Sequence, residues 1–79
     1  LYRPAMMKMH EAMMAAKGAD AAETWARKMI EHHRGGVEMS NIVLQNGAAG
    51  EVRQMAQKTI REQNKDIEDL QKLLRGETP

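Results

Sequence analysis

The chain has 79 residues, 42% hydrophobic but only 3% aromatic, with twelve Lys and Arg against eleven Asp and Glu for a formal net charge of +1. A core of this size cannot be divided, so residues 1–79 are read as one domain, and a near-neutral chain without a basic stripe argues against a nucleic-acid partner. The absence of cysteine removes disulfides and thiolate metal sites, and no apolar run approaches the ~18 residues a bilayer crossing needs, so no membrane role is expected.

The punctuation predicts an all-α chain of three antiparallel helices, one short and two long. The first spans about residues 4–17: Pro4 is tolerated at a helix start, and Gly18 is expected as a left-handed cap. The second spans about 20–46. It opens with DAAE, in which Asp20 and Glu23 can satisfy each other's backbone amides, and closes at Asn46-Gly47. The third spans about 51–75, contains no Pro or Gly, and stops before Gly76.

Five of the eight methionines fall between residues 6 and 14, and both early helices set methionine three or four residues before histidine. In MMKMH, Met6 and Met7 precede His10; in MIEHH, Met29 precedes His32 and His33. Those spacings stack side chains on one helix face. Met39 extends the second cluster, and reflecting the first helix about the Lys17–Asp20 turn sets Met6 level with Glu31 and His10 level with Arg27. An inner group of Met6, Met9 or His10, Met29 and His33 is therefore expected, with His32 and Met39 outside it. Gly36 is expected to face the first helix and Gly35 to point outward. Reflecting the second helix about the Asn46–Gly50 turn sets Gln63 level with His33, where its amide could fix the imidazole tautomer.

Thioether sulfur and imidazole nitrogen form a soft, uncharged donor set that favours Cu(I), or Ag(I) as its mimic, over Mg²⁺, Ca²⁺ or Mn²⁺. Zinc sites draw instead on Cys, His and carboxylate. A di-iron carboxylate site needs Glu three residues before His, whereas Met7, Met29 and Ile30 stand there. Met13, Met14 and Met55 are read as packing residues. No nucleophile with an oriented base and no paired carboxylates are evident, so the chain is not expected to be an enzyme.

The segment from MIEHHRGGVEM through EVRQMAQKTIREQNKDIEDLQKLL, with MMKMH upstream, resembles the domain-of-unknown-function 305 family, most specifically in His32, His33 and Met39. The resemblance implies a ferritin-like helical domain, exported to the periplasm or cell exterior, with some members binding copper. By position it carries over Met6, Met7, Met9, His10, Met29, His32, His33 and Met39, whereas Leu70 and Leu73 stand where relatives often have Met and Trp. A chain opening at LYRPAMM, without an initiator Met, suits a removed export signal.

The resulting expectation is a periplasmic Cu(I)-binding helical protein that buffers or relays copper, with a copper-handling protein as its partner. A Met-rich module that docks a partner helix without metal is the alternative. The short first helix leaves Val37, Val43, Leu44, Val52 and Ala56 needing cover, which predicts a homodimer completing a helical bundle.

Overall fold

The computed structural model describes residues 1–78. It holds three α-helices in the expected order: α1 (Arg3–Ala15), α2 (Ala21–Gln45) and α3 (Gly50–Leu74). Their ends follow local chemistry. Asp20 accepts a 2.8 Å hydrogen bond from the Glu23 amide at the start of α2. The Glu23 carboxylate does not reach back to complete the box; it pairs with Arg27 one turn on, at 2.9 Å. Gly47 (φ 85°) and Gly76 (φ 77°) take the left-handed conformation after α2 and α3. There the amide of Ala48 bonds Val43 O at 3.2 Å and that of Glu77 bonds Lys72 O at 2.8 Å, satisfying carbonyls that a helix end would otherwise orphan.

The end of α1 departs from expectation. The helix stops at Ala15, Ala16 is extended (φ −67°, ψ 127°), and Gly18 is not left-handed. Gly18 instead lies against Glu23, where a Cβ would overlap that side chain, and its amide donates to Thr24 Oγ1 at 3.0 Å.

The three helices lie side by side. The molecule measures 42 × 27 × 12 Å, and its shortest dimension is about one helix diameter. Helix α2 is central, with α1 on one flank and α3 on the other, and α1 and α3 do not pack on each other. The radius of gyration, 13.9 Å, exceeds the ~12 Å of a compact chain this long.

Small residues bring the helices together. Ala5, Ala26, Ile30, Ala56 and Leu70 are the buried apolar residues, and Met29, Ile67 and Leu74 pack around Ala26, Ile30 and Leu70. Burying Ile30 and Leu70 stabilises by roughly 1.5–3 kcal/mol each.

The two helical glycines of α2 serve opposite flanks: Gly35, expected to point outward, meets α1, and Gly36, expected on the α1 side, meets α3. Gly35 is buried against Met9 of α1, and Gly36 against the Gln63 amide of α3; a Cβ at either would overlap that side chain. Gly35→Val and Gly36→Val are each expected to lower the unfolding free energy by about 1–3 kcal/mol through overpacking, despite the ~1 kcal/mol that leaving glycine contributes to helix propensity. Adding Met9→Ala should recover most of the Gly35→Val loss and none of the Gly36→Val loss. Urea midpoints that ignore this pairing would contradict the close approach.

Candidate soft-metal face

Each face of the layer is fixed by contacts across the helices. On α1, Ala5, Met9, Ala12 and Ala16 recur at helical spacing along the flank that meets α2. To one side stands Lys8, 3.8 Å from Glu38. That side of the layer also carries the Arg34–Glu31 pair (2.7 Å) and the Arg27–Glu23 pair, and is a solvated, charge-balanced surface. To the other side of the α1 stripe stand Met6, His10 and Met13. On α2 the residues between its two packed flanks, away from the charged face, are Trp25, Met29, His32, Gly36, Met39 and Val43, spaced alternately by four and three. Met6, His10 and Met13 thus share an open face with His32 and Met39.

The level of α1 along α2 is also set. Met9 against Gly35, Lys8 beside Glu38, and Lys28 Nζ donating to the Met13 carbonyl at 2.5 Å all agree. They place Met6 near the level of Met39 and His10 near that of His32, to within about one turn. This is about two turns from the expected levels of Glu31 and Arg27, because Ala16 leaves the helix extended and carries α1 along α2. The Lys28 bond places a cation on the last turn of α1, where it caps a free carbonyl and is favoured by the helix dipole.

The expected inner group is not assembled. Met9 fills the α1–α2 seam over Gly35. Met7 points away from α2 with Met14, and both are exposed. Met29 is half-buried against the core around Ala26 and Ile30. His33 turns towards α3. Its Nδ1 lies 2.6 Å from the Met29 carbonyl, to which only Nδ1–H can donate, and its Nε2 lies 3.5 Å from Asp66 Oδ2, a contact that becomes an ion pair only when Nε2 also carries a proton. His33 thus lies between α2 and α3, with a carboxylate where none was expected. The rings of His32 and His33 meet edge to face, with centroids 5.8 Å apart.

Gln63 does not hold His33. It sits one turn away beneath Gly36, and its Oε1 is buried without a hydrogen-bond partner. The residue that sequence reasoning missed on the open face is Met13: the methionine spacing reveals it only once the docked flank of α1 is known.

Beyond the face, α3 carries Lys58–Glu62 and Lys65–Asp69 pairs one turn apart. The hydrogen bond from Lys65 to Asp69, and the charge of that carboxylate, hold the ammonium above its usual value. Among the described residues no three His, Asp or Glu side chains converge on a common point. The donors the open face offers an ion are thioether and imidazole.

An all-α protein of three antiparallel helices, with a Met and His face over the first two, is what fold and site define. The chain belongs to the family described as Domain of unknown function (DUF305), which it matches over residues 3–74. No curated protein matches it.

The unpartnered Gln63 amide yields a stability test. Gln63→Leu removes a buried unsatisfied acceptor and is expected to raise the unfolding free energy by about 1 kcal/mol, with no change in the histidine resonances. A loss of stability with displaced His33 signals would restore Gln63 as a partner of that ring.

Proposed function

We propose that this protein binds a soft monovalent cation, Cu(I) with Ag(I) as its mimic, on the open face formed by α1 and α2, and that it buffers or relays copper outside the cytoplasm. One observation carries the reading: Met6 and His10 face the same side, and stand at the same levels, as Met39 and His32. Met13 and Met29 border the group. His33 moves to a supporting position, Gln63 leaves the site, and Met7 and Met9 leave the donor set.

The chemistry suits the ion. Thioethers and neutral imidazoles prefer Cu(I) to hard divalent cations, and thioethers do so without the disulfide chemistry that thiols undergo in an oxidising compartment. A ferritin-like ancestry and an exported location belong to this proposal, as does a binding rather than catalytic role. The alternative, a metal-free Met-rich docking module, draws on the exposure of Trp25 and Met55 beside the donors.

Anaerobic titration with Cu(I) against a competing chelator tests the proposal. A Met6→Leu, His32→Ala and Met39→Leu triple variant is expected to bind at least about tenfold more weakly, a loss of about 1.4 kcal/mol or more. Met7→Leu with Met14→Leu should bind as the parent does. Acidification that protonates imidazole should weaken binding in the parent. Equal affinity of the triple variant and the parent would refute the assigned donors.

A further inference from the structure

The same open face has a second property that does not depend on metal. Domains are stable when at least two layers of secondary structure enclose a core, and this chain supplies one. Its 12 Å thickness leaves both sides of the layer in solvent, and no large side chain among the described residues is fully buried. The two sides differ in kind. One carries the Lys8–Glu38, Arg34–Glu31 and Arg27–Glu23 pairs around an open hollow that Ala12, Ile30 and Leu74 also line. The other exposes Met6 (49%), Trp25 (57%), Met55 (66%) and Leu73 (51%), which come from all three helices and reach both ends of the layer, with Glu62 and Asp66 between the two α3 residues. Trp25 and Leu73 line one open hollow of about 400 Å³ with Ala26 and Leu74.

We infer that this face is the interface between two copies of the chain, stacked face to face as a two-layer, six-helix assembly. Size and shape select that occupant. The layer fills most of a 42 by 27 Å rectangle, an area on the scale of the ~800 Å² per partner of a standard stable interface. A single docking helix is ~10–12 Å wide and would cover one seam, leaving Met55 and Leu73 on α3, or Met6 on α1, in water. Only a partner that is itself a layer covers the whole face. The cover must also be present whenever the chain folds, since it completes the core, and a second copy meets that condition without another gene product. The charged opposite side limits stacking to two layers, so the assembly closes instead of growing into a filament. The donor rows of the two copies then line a shared seam.

Metal-free protein is the probe, so that failure here is distinguishable from failure of the copper reading. Sedimentation equilibrium in chelator is expected to give twice the 8.9 kDa chain mass at micromolar concentration, with Trp25 fluorescence blue-shifted and shielded from acrylamide. Met55→Glu with Leu73→Glu touches neither a copper donor nor a side chain buried in the single chain. It should weaken association by at least about a hundredfold and cost helix content as the chains separate. Arg34→Glu, on the charged side, should leave the mass unchanged. A folded parent at 8.9 kDa with freely quenched Trp25 would overturn the inference. So would a mass that resists the Met55 and Leu73 substitutions, or one that falls with Arg34→Glu.

Discussion

The close approach of α1 to the flank of α2 governs the rest of this structure. Where Gly35 lacks a side chain, Met9 lies against the α2 backbone, and Ala5 and Ala12 continue the contact at one-turn intervals. A larger residue at position 35 would push α1 outward or roll it over the α2–α3 seam. With α1 held at the flank, the helices form a layer instead of a three-helix bundle, and one side of that layer collects the methionines and histidines of both early helices. The site is a consequence of where α1 docks more than of any single donor.

Local chemistry made the three helices legible. Asp20, Asn46-Gly47 and Gly76 act within a few residues of themselves, so their roles survive translation into coordinates. What sequence could not supply was long-range registration. A reflection about the first turn assumes that the helix continues through it; the extended backbone at Ala16 carries α1 about two turns along α2. The second turn misleads by one turn, which places Asp66 beside His33 and sends Gln63 beneath Gly36. Gly35, expected to point outward, faces α1 and Gly36, expected on the α1 side, faces α3, because which glycine meets α1 depends on the flank that α1 chooses.

These shifts regroup the donors without dispersing them. His33, central to the apolar stripe of α2, is committed to the Met29 carbonyl and Asp66. It behaves as a half-buried polar side chain between two helices, and its ring is braced against His32. His32 lies at the margin of that stripe and is therefore exposed in the single chain. Met39, two turns on, and Met6 and His10 across the seam complete a patch whose members each contribute one soft atom. The patch is wide and shallow, and the same exposure that admits an ion leaves apolar surface uncovered.

The central claim is that sulfur and nitrogen donors from α1 and α2 act together on one face. Methyl and imidazole NMR spectra recorded as Ag(I) is added test it most directly. The methyls of Met6 and Met39 and the rings of His10 and His32 are expected to move in concert at the first equivalents, while the Met7 and Met14 methyls stay in place. Movement of Met7 and Met14 together with Met6, or no movement at Met39 and His32, would contradict it.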